Sequence, residues 1–112
     1  MENMDALAAL SALAQEHRLA VFRLLVREGP NGLPAGEIAG RIGLAPSALS
    51  FHLAQLERAE LISSRREGRR IFYAADIEGT RKLLAFLADD CCQGRPELCG
   101  VAALGPLEDV GA

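Results

Sequence analysis

β-Branched aliphatic residues are scarce in this sequence of 112 residues: Val and Ile together number nine, against 19 Ala and 18 Leu. That mixture favours helices and excludes an all-β domain. No stretch approaches the ~20 uninterrupted apolar residues that a membrane span needs, and no basic segment leads into an apolar run at the N-terminus. A cytoplasmic protein with no membrane partner is expected. Cysteine is limited to three residues, an odd number, all between positions 91 and 99. A reducing cytoplasm keeps them as thiols, which removes a disulfide framework. There is no phosphate-cradling glycine loop, no nucleophile-and-base motif, and only two histidines, His17 and His52, neither near the cysteines. An enzyme is therefore not expected. The length fits one domain, since ~100 to 150 residues make one core.

Charge is present but unevenly distributed. The chain carries -3 overall, which taken alone argues against a nucleic-acid partner. Residues 1–40 hold three Arg against five acids, residues 41–82 eight Lys/Arg against five acids, and residues 83–112 one Arg against five acids. The middle is basic. Within it Arg65, Arg66, Arg69 and Arg70 surround Gly68, a cluster that can straddle phosphates or, more plainly, decorate a solvated hairpin.

Helical composition runs almost continuously from Met4 to Arg27 with a break at Gln15-Glu16, predicting helices near 4–14 and 16–28. Gly29-Pro30-Asn31-Gly32 stops the second. Pro34, at a first-turn position, opens a short helix carrying Ile38, Ala39 and Ile42, and Gly43 follows it as a left-handed cap. Pro46 opens another helix reaching about Ala59, with Leu49, Leu53 and Leu56 on one stripe. A hairpin turning at Glu67-Gly68 comes next. A final helix covers about 77–92, with a stripe of Leu83, Leu84, Leu87, Ala88 and Cys91, and Gly94 and Pro96 end it. The expected organisation is a DNA-binding and dimerisation domain over 1–92 and a C-terminal segment over 93–112 that contains Cys99 and a loose tail.

Short helix, glycine-bearing turn, second helix and basic hairpin form the order of a winged helix-turn-helix, in which the second helix enters the major groove and the hairpin touches flanking backbone. At 100° per residue, the face opposite the leucine stripe carries Ser47, Phe51, Ala54, Gln55 and Arg58, with Ala48 and Ser50 at its edges. Ser47, Ser50 and Gln55 offer donors and acceptors to base edges or phosphate, Phe51 can lie on a thymine methyl, and the first-turn amides favour an anion. Phe51 has an alternative, packing on a neighbouring element.

Leu33-Pro34-Ala35-Gly36-Glu37-Ile38-Ala39, then Ser47-Ala48-Leu49-Ser50-Phe51-His52-Leu53, then Glu67-Gly68-Arg69 resemble the ArsR family of metal-responsive repressors over about residues 5–92. His17-Arg18-Leu19 at the head of the second helix fits the same pattern. The resemblance implies a mainly α winged helix-turn-helix with a small β-hairpin wing. It further implies a homodimer built from the first and last helices, binding double-stranded operator DNA and leaving it when an inducer binds. His52 belongs to the family pattern and flanks the buried stripe, which leaves both a structural role and a phosphate contact open.

Cys91, Cys92 and Cys99 suffice for a three-thiolate site, whereas tetrahedral zinc would have to recruit a fourth ligand. Trivalent arsenic or antimony is soft and is satisfied by a trigonal pyramid of sulfurs. Adjacent side chains on an intact helix diverge by ~100°, so Cys91 and Cys92 converge only where the helix loosens, and Gly94 and Pro96 return the chain toward Cys99. Residues 34–42 have no cysteine and the last helix has no histidine, so two other inducer sites of the family are missing. What remains is similar to members whose arsenic cysteines end the last helix. The expected protein is an arsenite-responsive repressor, with antimonite as a second inducer. Its alternatives are a repressor answering another thiophilic metal or a methylated arsenical, and a thiol redox regulator. The redox alternative meets a geometric objection: neighbouring Cα atoms ~3.8 Å apart fall short of the ~4.4 to 6.8 Å of a relaxed disulfide, so a 91–92 bridge is strained.

Overall fold

The computed structural model describes residues 2–91, the last three by backbone alone. Five α-helices and a three-stranded sheet follow the order α1 (Asn3–Leu13), α2 (Glu16–Glu28), β1 (Leu33–Pro34), α3 (Ala35–Ile42), α4 (Pro46–Arg58), β2 (Ile62–Glu67), β3 (Arg70–Ala75) and α5 (Ile77–Ala85). The break between α1 and α2 falls at Gln15, whose side chain accepts a hydrogen bond from the Arg18 amide at 2.9 Å and so caps α2. Gly43 takes the expected left-handed cap after α3, and Pro46 the first turn of α4, where its missing N–H costs nothing.

Pro34 differs from its expected place. It is extended, with φ -71° and ψ 154°, and caps α3 from outside the helix. Leu33 and Pro34 instead pair with Tyr73 and Phe72 as a third, edge strand, and the sheet runs β1-β3-β2, antiparallel throughout. An edge position suits a residue without an N–H to donate. The wing itself, β2 and β3, keeps the expected turn: Glu67 faces Arg70 across the two-residue loop Gly68-Arg69.

Val21 and Leu25 of α2, Ile38 of α3, the stripe Leu49, Leu53 and Leu56 of α4, and Leu61 and Ile62 entering the wing are all buried. Leu83 of α5 joins them, as do Ala6, Ala9 and Ala12, the small face by which α1 packs on α2 and α4. Among the described residues no polar or charged side chain is buried. Fold specificity therefore rests on shape and on caps.

Of the apolar stripe expected on the last helix, Leu83 is buried and Leu84 is 50% exposed; the departure from expectation is in the winding. The α-helical winding ends at Ala85, and residues Phe86–Cys91 continue as a π-helix, so the winding loosens more than a turn ahead of the Cys91-Cys92 pair where loosening is expected. Phe86 and Leu87, three and four residues after Leu83, pack against the core on the same face. The expected segment 93–112 lies outside the described residues.

The α4–β2 turn fixes where α5 begins. Glu60 has φ 63°, the left-handed position that glycine usually fills after a helix, and the Leu61 amide reaches back to the Leu56 carbonyl at 3.1 Å. Gly79, capped by the Asp76 carboxylate at 3.0 Å, lies so close to the Glu60 carbonyl that any Cβ there would overlap it. Gly79→Ala should therefore destabilise by about 2 kcal/mol or more. Glu60→Gly should stabilise by about 1 kcal/mol. Urea denaturation of the two variants beside the wild type reads both signs.

Candidate nucleic-acid interface

Burial of Leu49, Leu53 and Leu56 decides which side of α4 is free. Ser47, Ala48, Ser50, Phe51 and Ala54 are exposed along the opposite side. Phe51 is 59% exposed, and its one ring contact among the described residues is edge-to-face with its neighbour His52, with centroids 5.6 Å apart. Packing on another element, the alternative for this residue, does not occur among the described residues. An apolar ring held in water beside two hydroxyls is a poor solvent-facing surface but a usable one for the methyl groups and edges of bases.

Gln55 and Arg58 lie elsewhere. Gln55 is half-buried and lines a cleft with Ala8, Ser11 and Ala12 of α1, because α1 crosses that end of α4. Arg58 is exposed in the last turn and borders a second cleft with Glu2, Asp5, Glu60 and Lys82. An ideal helical wheel places both on the outer face; the neighbouring helix half-covers Gln55, whereas Arg58 stays exposed at the rim. The part of α4 clear of α1 is thus its first two turns.

His52 sits between the two sides of α4. It is half-buried, and Arg18 of α2 donates from Nη1 to its Nδ1 across 3.1 Å. Arginine keeps its protons, so the ring must accept and is neutral, with its hydrogen on Nε2. This is one of the two roles that the sequence left open; the other, a phosphate contact, would fall to the Nε2 hydrogen, which this bond does not use. Burial, then the Arg18 charge, then His17, whose ring centroid is 5.7 Å away, hold its pKa below 6.5.

The wing arginines divide. Arg65 is spent inside the molecule: its guanidinium bonds Glu67 at 2.6 Å and the Asn31 carbonyl at 2.6 Å, and it stacks over Phe72 at 5.1 Å. It therefore braces β2 against the α2–β1 loop, contrary to its expected place among the phosphate contacts. Arg70 covers the same Phe72 ring at 5.3 Å. Arg66 and Arg69 are exposed, with no hydrogen bond or ion pair among the described residues. Sequence reading also missed a brace at the foot of the wing, where the Ser64 hydroxyl donates to the Glu57 carboxylate of α4 at 2.7 Å. Nothing in the local pattern marks that pair, which only the β2–α4 crossing brings together.

Of the three thiols, Cys91 ends the π-helical continuation of α5, and Cys92 and Cys99 lie outside the described residues.

The pattern of the family described as "Helix-turn-helix domain" matches residues 13–65. Nodulation protein NolR of Rhizobium meliloti is 38% identical over 80 residues, 71% of this chain and 63% of that protein. The chain thus spans under two thirds of NolR. Transcriptional activator HlyU of Vibrio cholerae is 35% identical over 88 residues, 79% of each chain. Among solved structures, reduced HlyU from Vibrio cholerae superposes with TM-score 0.60 at 32% identity, covering 75% of this chain and 86% of that one. An ArsR family transcriptional regulator superposes with TM-score 0.69 at 26% identity, covering 85% and 97%. A homodimeric winged helix-turn-helix DNA-binding domain from Mycobacterium bovis does so with TM-score 0.62 at 26% identity, covering 81% and 84%.

The lowered pKa of His52 makes stability depend on pH with a defined sign. Above about pH 6.5 the ring is neutral whether folded or unfolded. Below it the unfolded chain takes the proton first, and stability falls until the folded ring is protonated as well. Chemical denaturation at pH 7.5 and 5.5 should show this loss, and His52→Asn, which keeps an acceptor oxygen near the Nδ1 position but does not titrate, should show less of it.

Proposed function

This chain belongs to the winged helix-turn-helix transcriptional regulators of the ArsR and HlyU type, and on that premise we propose that it is a homodimeric repressor which binds operator DNA and releases it when trivalent arsenic is captured by Cys91, Cys92 and Cys99. The observation that carries the DNA-binding part is the exposed side of α4. Ser47, Ser50 and Phe51 face outward from a helix whose other side is locked into the core, and Arg66 and Arg69 stand on the wing beyond it with no partner of their own among the described residues. Ser47, Ser50 and Phe51 read base edges in the major groove. Arg66, Arg69 and Arg70 hold the flanking phosphates.

A second subunit covers the apolar residues that the single chain leaves in water. Leu7 of α1 is 65% exposed, Ile77 of α5 63% and Leu84 50%. Both helices border one cleft, through Asp5 and Ala8 of α1 and Lys82 of α5. These are the first and last helices, and pairing them across a two-fold axis sets the distance between the two α4 helices at about one DNA turn, ~34 Å.

Arsenite is favoured as the inducer by ligand count and softness. Three thiols condensing with arsenite form three S–As bonds and release three waters, their protons leaving with the hydroxides. Cys91 fits such a site in one respect visible here, since the main chain has already left α-helical winding when it reaches this residue. Drawing the thiols together strains the end of the dimer helix and alters the angle between subunits. A hundredfold loss of operator affinity requires that the DNA-bound form hold arsenite a hundredfold less tightly, a coupling of ~2.7 kcal/mol.

A redox reading is the alternative, favoured by one observation: a relative of similar sequence and fold, HlyU, is known in a form described as reduced. In that reading a disulfide to Cys99 replaces arsenic as the signal.

A labelled fragment of the DNA preceding the protein's own coding sequence, titrated with protein alone and with arsenite, antimonite, zinc or peroxide, tests the proposal. Release by arsenite and antimonite, with Cys91, Cys92 and Cys99 all changed to Ser abolishing release but not binding, is the expected result. Release by peroxide but not arsenite establishes the redox reading. A triple Ser variant that arsenite still releases at the same concentration overturns the thiol site. On the same fragment, Arg66→Ala with Arg69→Ala should weaken binding at every sequence and flatten the salt dependence by about two units of slope, ~0.9 for each phosphate no longer neutralised.

A further inference from the structure

Arg18 is a half-buried cation with no carboxylate partner among the described residues. Its donors are spent on two other helices. Nε donates to the Ala12 carbonyl at 2.7 Å, one of the last four carbonyls of α1, and Nη1 donates to His52 Nδ1 of α4 at 3.1 Å. Its own amide is held by the Gln15 side chain, which fixes where the α2 residue starts. One guanidinium therefore joins the C-terminal end of α1, where the helix dipole favours a cation, to the middle of the DNA-facing helix. Ala6, Ala9 and Ala12 pack α1 on α2 and α4, and beside that face a cleft of about 260 Å³, bordered by Arg18, Ser11, Ala12 and Gln55, leaves the guanidinium as the polar link between α1 and α4.

We infer that Arg18 is a positioning residue that transmits the setting of the dimer helix α1 to the DNA-facing helix α4 through the neutral ring of His52. This rests on the DNA-binding reading above and extends it with a residue that touches neither DNA nor inducer. A change of angle between subunits displaces α1, Arg18 follows the Ala12 carbonyl, and α4 loses the orientation in which Ser47, Ser50 and Phe51 meet the groove. The link has a chemical condition. Nδ1 accepts only while the imidazole is neutral, because two cations each with only N–H to offer repel. The charged and titratable groups that act on the ring are Arg18 and His17, both from α2, with no carboxylate among them, so nothing nearby compensates a proton on His52.

The test measures affinity for the same labelled DNA fragment as a function of salt and pH, with circular dichroism confirming the fold of each variant. Arg18→Gln should bind at least tenfold more weakly at pH 8 with an unchanged salt slope. His52→Leu, which removes the acceptor but leaves Arg18 on Ala12, should do the same and keeps the test valid if Arg18→Gln unfolds. The double variant should be no weaker than either single one, as expected for two ends of one link. As pH falls from 8 to 5.5 the wild type should lose affinity relative to His52→Asn, whose side-chain oxygen accepts at any pH. A slope reduced by ~0.9 in Arg18→Gln makes Arg18 a phosphate ligand and overturns the inference. So do wild-type affinity in both single variants, additive losses in the double variant, or parallel pH profiles for wild type and His52→Asn. A wild-type protein that binds no duplex at any salt concentration contradicts the regulatory reading itself, which is a different failure from wild-type binding that Arg18→Gln retains in full.

Discussion

Everything that the protein offers to a partner depends on how α4 is rotated about its own axis, and that rotation is set by three leucines. Leu49, Leu53 and Leu56 are buried against α2, α3 and the first residues of β2. Each contributes about 2 kcal/mol by leaving water. Turning the helix by one residue would move all three out of place and bury Ser50 and Glu57 in a core that holds no polar side chain to receive a hydroxyl or a carboxylate. The outward set is thus fixed by what is forbidden to face outward. Gly43 and Pro46 bring α4 to this position after a short turn, and the Ser64–Glu57 hydrogen bond ties the wing to it.

Four cations then illustrate how one residue type is put to different uses by its surroundings. Arg65 and Arg18 are consumed in bracing, one between the wing and the α2–β1 loop, the other between three helices. Arg66 and Arg69, in the same short segment as Arg65, keep their charge for an external partner. The difference comes from the pleat and the neighbouring loop: Arg65 sits opposite Phe72 in the register, beside the carbonyl of Asn31, whereas Arg69 occupies the turn. Net charge therefore understates the protein's capacity for phosphate, because the basic residues are concentrated in one segment while most acids lie in the flanking ones.

Much of this was legible in the sequence. The helix boundaries near Gln15, Gly43 and Pro46, the leucine stripe and the two-residue turn at Gly68 all follow from local chemistry, capping and periodicity, which act over a few residues. What was not legible depends on contacts between segments distant along the chain. An ideal wheel has no means of showing that α1 crosses the second half of α4 and half-covers Gln55. The pairing of Pro34 with Phe72, the diversion of Arg65 to Asn31 and the Arg18–His52 link each join residues more than thirty positions apart. The stripe of the last helix was legible as apolar, but periodicity alone does not say that Leu83 is covered by the same chain while Leu84 is left exposed.

The central claim is that the exposed side of α4 and the tip of the wing together form the DNA-binding surface. Amide chemical-shift mapping tests it most directly, by recording ¹⁵N-labelled protein before and after addition of a duplex from the DNA preceding its own coding sequence. The largest shifts are expected at residues 47–51 and 66–70, with small ones at Val21, Leu25 and the buried leucines of α4. Shifts concentrated on the outer faces of α2 or α5, with residues 47–51 unmoved, would contradict it.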